Sequence, residues 1–111
     1  MAKKIVVIIR KPPHGTLYPA EGLRAAVAVS TSEATVVTLG DGVYTFLKET
    51  DKTLYQRHLD FLKDAEIPII IDKESLEERG LKSENLIEQV TVKEREEVLK
   101  ILAEADVTLT F

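Results

Sequence analysis

Cysteine is absent from this 111-residue sequence. That absence excludes disulfides, thiolate metal sites and any cysteine nucleophile of the chain's own. Histidine is nearly as scarce. His14 and His58 are the only two, too far apart in sequence to form a zinc motif by themselves, and no metal site is expected. Long apolar runs are missing as well. The N-terminal run from Ile5 to Ile9 stops at Arg10-Lys11-Pro12-Pro13. A membrane helix needs about 20 apolar residues, and a signal peptide needs a longer apolar region and a cleavage site. The expected location is the cytoplasm, with no membrane contact. Clustered cations are lacking too: the net charge is -4, and the longest basic blocks are the pairs Lys3-Lys4 and Arg10-Lys11. Binding to a phosphate backbone needs more than that, so no direct nucleic-acid partner is expected.

What the chain does contain suits one domain spanning residues 1–111. A globule of this size buries roughly 60–70% of the surface its unfolded chain exposes, enough for a core without staples. Apolar residues make up 44% and charged residues 31%, the latter above the usual share of about 25%. The surplus of Lys and Glu matches heat-adapted composition and suggests a thermophilic source.

Ile5 to Ile9, Ala34 to Leu39 and Ile67 to Ile71 are short apolar runs rich in β-branched residues, the pattern of strands buried on both faces. Ile87 to Val92 is more polar and suits a sheet edge, and Asp106 to Phe111 predicts a fifth strand. Pro68 stands near the start of its run, where a missing N–H is tolerated. Helical spacing fills the gaps. Pro19 to Val29 has proline and Glu21 at its start, and Asp41 to Lys48 reads as a short helix. Thr53 to Ala65 carries Leu54, His58, Phe61, Leu62 and Ala65 on one side. Asp72 to Arg79 stops at Gly80, and Lys93 to Glu104 sets Val98, Leu99, Ile101 and Leu102 inward. This alternation predicts an α/β fold, a three-layer α/β/α sandwich on a five-stranded, mainly parallel sheet.

In such sheets the functional crevice lies beyond the carboxyl ends of the strands. Three segments are expected there: Lys11 to Thr16, Gly40 to Val43, and Asp72 to Ser75. In the first, His14 is an acid–base candidate, Gly15 permits a turn and Thr16 offers a hydroxyl. The same loop also reads as a shaped connection with an exposed histidine. Gly40-Asp41-Gly42 reads as an anion-binding helix start or as a plain entry turn capped by Asp41. It lacks the spacing of a dinucleotide fingerprint or a P-loop, and no cofactor is expected. Asp72 suits capping better than catalysis, with Ser75 in the same turn. His58 reads as a core or interface residue, and Glu94-Arg95-Glu96-Glu97 as a solvated face or partner contact. No Ser-His-Asp triad or paired-carboxylate site assembles from these residues. A small-ligand or anion-binding domain using the loops after the first and second strands, and an acid–base enzyme pairing His14 with Asp41 or Asp72, both remain open.

Pro13-His14-Gly15-Thr16, Glu21-Gly22-Leu23, Asp41-Gly42-Val43, Ser75-Leu76-Glu77-Glu78-Arg79-Gly80-Leu81 and the ending Ala105 to Phe111 together resemble the DsrE/DsrF-like family. Within it they are most similar to the TusC/DsrF type of subunit. The resemblance implies a sulfur-relay role in hetero-oligomers with DsrE/TusD-like and DsrH/TusB-like subunits, self-association being the alternative. Such assemblies pass persulfide sulfur toward 2-thiouridine in tRNA or during sulfur oxidation. It also implies that the sulfur-carrying cysteine of the DsrE/TusD branch falls at about Asp72. An aspartate cannot hold sulfane sulfur, so the resemblance implies a non-catalytic partner rather than a carrier.

Overall fold

The apolar run near the N-terminus forms β1 (Lys4–Ile9) in a computed structural model that describes residues 3–111. The other strands are β2 (Glu33–Thr38), β3 (Ile69–Asp72), β4 (Thr91–Lys93) and β5 (Val107–Thr110). Their order is β4-β3-β2-β1-β5, and every neighbouring pair is parallel. The helices are α1 (Tyr18–Ala28), α2 (Gln56–Asp64), α3 (Lys73–Glu78) and α4 (Arg95–Ala103), with 3₁₀ turns at Gly40–Phe46 and Ser83–Asn85.

Side-chain alternation along the strands builds two cores, one on each face of the sheet. Val7, Ile9, Val36, Ile69 and Ile71 face Leu23 and Ala26 of α1, Leu59 and Leu62 of α2, and Val43 and Phe46 of the first 3₁₀ turn. Val6, Val37 and Ile70 face Val98 of α4, with Ile101 and Leu102 beside it. The result is the expected three-layer α/β/α sandwich, unequal in its layers because α4 alone covers the second face. Pro68 immediately precedes β3, and its carbonyl accepts the Val36 N–H at 2.9 Å.

The expected elements all appear, with shifted bounds and three corrections. The run from Ile87 to Val92 contributes only its last part to β4. Leu86 instead forms an antiparallel bridge with Leu47, and Ile87 donates to the Phe46 carbonyl. The segment Asp41 to Lys48 is a 3₁₀ turn rather than an α-helix, and its cap is Leu39, with no side-chain hydrogen bond. Asp41 therefore does not cap it.

The third correction concerns the helix expected over Thr53 to Ala65. It begins at Gln56, because Thr53 is held in a turn by the Asp51 carboxylate. Its buried side is Tyr55, Leu59 and Leu62 rather than Leu54, His58, Phe61 and Ala65. The Tyr55 hydroxyl donates to the Thr45 carbonyl at 2.9 Å, and burial pushes its pKa up to about 12. Leu54 and Phe61 point outward at 65% and 44% exposure, while His58 is half-buried. In α4, likewise, Leu99 is exposed.

Gly42 shows how tightly the first 3₁₀ turn sits on the sheet. A Cβ added there would lie 2.2 Å from the Ile9 carbonyl oxygen, so the backbone would have to move. Gly42→Ala is expected to cost at least about 1–3 kcal/mol of stability, read from the midpoint of urea unfolding.

Candidate functional site

The carboxyl ends of β2 and β3 meet α3 and α4 in one hydrogen-bonded cluster centred on Asp72. Asp72 closes β3 and caps α3, its Oδ2 accepting the Ser75 N–H at 3.1 Å and the Ser75 hydroxyl at 2.7 Å. Arg95, on the first turn of α4, donates from Nε to both carboxylate oxygens at 3.1 and 3.0 Å and from Nη2 to Oδ2 at 2.6 Å. The remaining guanidinium reaches Glu74 at 3.1 Å. Asp72 has no exposed surface. Burial alone would raise its pKa. The hydrogen bonds from Arg95 and Ser75 and the Arg95 charge outweigh that and hold it below the usual carboxylate range.

The cluster extends to the loop after β2. The Gly40 N–H donates to Ser75 Oγ at 2.9 Å, and the Gly42 N–H donates to the Leu39 carbonyl at 3.1 Å. Asp41 accepts from Arg79 at 3.0 and 2.9 Å, and Arg79 also donates to the Ser75 carbonyl. The Gly40 and Gly42 amides of the turn proposed for an anion are therefore already engaged, and the Asp41 side chain is an ion-pair partner. Chemically the cluster is closed. Asp72 is ionised and enclosed by donors, so it is neither a ready general acid nor a free base. It locks α3, α4 and the β2 loop together.

His14 lies elsewhere. The strand order reverses between β1 and β5, where an open sheet leaves its crevice, and the His14 loop follows β1. The exposed His14 lines a small notch of about 200 Å³ with Pro13, Thr50, Asp51 and Leu54. Gly15 takes φ +74°, and the Thr16 hydroxyl donates back to the Pro12 carbonyl, which fixes the loop. Opposite it, Lys52 Nζ donates to the Leu47 and Thr50 carbonyls. The three segments expected to converge thus separate into two places. The Gly40 and Asp72 segments meet through Ser75, whereas His14 faces the segment from Thr50 to Leu54. Neither Asp41 nor Asp72 forms a hydrogen bond or ion pair with His14, so the expected acid–base pairing is not assembled.

Arg79 and Arg95 are the site residues that sequence reasoning missed. The sequence around Arg95 reads as a solvated face or a partner contact, although a cation in the first turn of a helix opposes the helix dipole. That oddity was the available signal. Among the described residues no group of three or more His, Asp or Glu side chains is placed to hold a metal, and no helix is long and apolar enough to cross a membrane.

A five-stranded parallel sheet between helices, with a locked ion-pair cluster at its strand ends, defines an α/β sandwich protein. Residues 3–111 match the model of the DsrE/DsrF-like family, and the chain belongs to that family. It is 33% identical over 96 residues to the intracellular sulfur oxidation protein DsrF of Allochromatium vinosum, covering 79% of this chain and 71% of that protein. It is 29% identical over 116 residues to a TusC homologue of Vibrio parahaemolyticus, covering 97% and 98%. The crystal structure of the ychN protein from E. coli superposes over 100% of both chains with a TM-score of 0.84 at 24% identity, a likeness of fold.

Proposed function

We propose that this chain is a non-catalytic subunit of a sulfur-relay assembly of the DsrE/F/H or TusBCD kind. It works in the cytoplasm beside DsrE/TusD-like and DsrH/TusB-like subunits. The observation that carries the reading is the closed cluster at Asp72, in a chain without cysteine whose relatives include a DsrF and a TusC homologue. Sulfur transfer needs a thiolate to attack the terminal sulfur of a donor persulfide. The attack makes a new S–S bond and releases the donor thiolate. Here the β3 end offers a buried carboxylate, followed by the exposed Lys73 and Glu74, and none of these performs that attack. The subunit instead gives a cysteine-bearing neighbour a rigid wall to work against, in transfer of the kind that leads to 2-thiouridine in tRNA or to sulfur oxidation.

A partner also accounts for the outward-facing apolar side of α2. Phe61 is exposed on α2 with His58 half-buried three residues before it, Leu54 is exposed in the turn that leads into the helix, and Leu17 and Tyr18 at the start of α1 are 60% and 48% exposed. Apolar side chains of this size are usually covered when they cluster. The test is co-purification with a cysteine-bearing family member from the native source, followed by transfer of labelled sulfane sulfur. The expected result is a stable complex with label on the partner's cysteine and none on this chain. A chain that binds no such partner, or that leaves the partner's labelling rate unchanged in the complex, overturns the reading.

A further inference from the structure

The two edges of the sheet are built differently. β4 is three residues long and ends on Lys93, whose ammonium pairs with Glu97 at 3.4 Å, and the Lys73–Glu94 pair lies beside it. Shortness and charge are the usual devices that keep an edge strand from pairing with another chain. β5 has neither charge nor proline, and Phe111 follows it. Thr108 and Thr110 are exposed and Val107 is 37% exposed. Asp106, just before the strand, turns its carboxylate toward β1, accepting the Lys4 N–H at 2.8 Å. Asp106 donates its own N–H to the Lys4 carbonyl. Phe111, however, donates its N–H to the Ile8 carbonyl and accepts the Arg10 N–H on its own carbonyl. Alternation back along the strand therefore turns the N–H and C=O of Thr108 and Thr110 away from β1, on a side where the described residues place no strand.

We infer that a second copy of this chain pairs at this edge, β5 against β5 in antiparallel sense about a two-fold axis, joining two five-stranded sheets into one. An uncharged strand is matched by an uncharged strand, and the exposed edge of this chain with that character is β5 itself. Pairing β5 with the β4 edge of another copy would bring Lys93 against it. It would also leave free edges at both ends and grow into a filament. The self-pairing closes instead. The flanking groove suits a two-fold, because Glu21 and Arg24 supply one charge of each sign over a floor of Ala25, Ala28 and Phe111. This contact leaves the exposed side of α2 free for a different subunit and does not depend on any sulfur chemistry.

Because the chain has no cysteine, Thr108→Cys and Thr110→Cys each introduce a single thiol. Light scattering of the purified full chain is expected to give the mass of a dimer at micromolar concentration. One of the two cysteine variants is expected to form a disulfide-linked dimer on oxidation, since facing residues of an antiparallel pair lie within disulfide reach. Thr91→Cys, on the β4 edge, is expected to remain uncrosslinked. Thr108→Lys with Thr110→Lys should weaken the dimer by at least about tenfold, with an unchanged circular dichroism spectrum. A monomer at high concentration overturns the inference. So does a dimer that tolerates both lysines, or one that crosslinks through Thr91→Cys or Phe61→Cys but not through β5.

Discussion

Asp72→Ala is expected to lower the unfolding free energy by about 2–4 kcal/mol, a large share of what a domain of this size possesses. The helix cap alone accounts for about 1 kcal/mol. The rest comes from a Ser75 hydroxyl left without its acceptor and from an Arg95 guanidinium that loses its best partner. Arg95 keeps Glu74 at 3.1 Å and is 40% exposed, which keeps the cost below that of a fully buried orphan charge. Asp72→Asn should recover the cap but not the ion pair, and so fall between the two. Urea unfolding of the three proteins measures the series. Equal stability of Asp72→Ala and the parent would mean that the cluster holds nothing together.

The same residue sets an acid dependence. Its folded pKa lies below the ordinary carboxylate value because the Arg95 and Ser75 bonds outweigh burial. The unfolded chain therefore binds its proton first as pH falls. The stabilisation is fully present above an unfolded value of about 3.9 and drains away as pH drops toward and through the lower folded value. The gap between parent and Asp72→Ala should accordingly be widest above pH 5 and narrow steadily below pH 4. A gap unchanged at the acid end would place the cost of the substitution in packing rather than charge.

Why some of this cluster could be read in advance and some could not is a matter of sequence distance. Capping is local: Asp72 and Ser75 stand three residues apart just after an apolar strand, so the turn announces itself. The five strands were legible for a similar reason, since runs such as Ile5 to Ile9 are too short for a helix and too apolar to lie on a surface. The partners that make the cluster a lock are remote. Arg95 is 23 residues from Asp72 and Arg79 is 38 from Asp41, and only the stacking of β3 and β4 and the turn after β2 brings them together. The Gly40 and Gly42 amides misled because a glycine turn at a strand end looks the same whether its N–H groups are free or spent. The Gly42 amide is spent inside the turn on Leu39, while the acceptor of the Gly40 amide, Ser75, lies 35 residues on.

The α2 side chains give the second large effect, and they turn on rotating a short helix. Leu54, His58, Phe61, Leu62 and Ala65 form a plausible apolar stripe, but Tyr55, Leu59 and Leu62 form a tighter one, and α2 has only nine residues in which to choose. Tyr55 decides it, because its hydroxyl finds the Thr45 carbonyl while its ring enters the core. Leu62→Ala is therefore expected to cost about 2–5 kcal/mol, the usual range for emptying a fully buried leucine site. Leu54→Ser and Phe61→Ser should each stay within roughly 0.5 kcal/mol of the parent. Binding should invert this order. If the exposed side of α2 is where the cysteine-bearing subunit docks, Phe61→Ser should weaken the complex by more than about tenfold, as loss of a central aromatic anchor does, while the isolated chain unfolds as before. Titration calorimetry against that subunit, run beside thermal unfolding of each variant, separates the two quantities. A Phe61→Ser chain that binds normally would move the docking surface off α2, whereas one that unfolds early would mean that Phe61 belongs to the core after all.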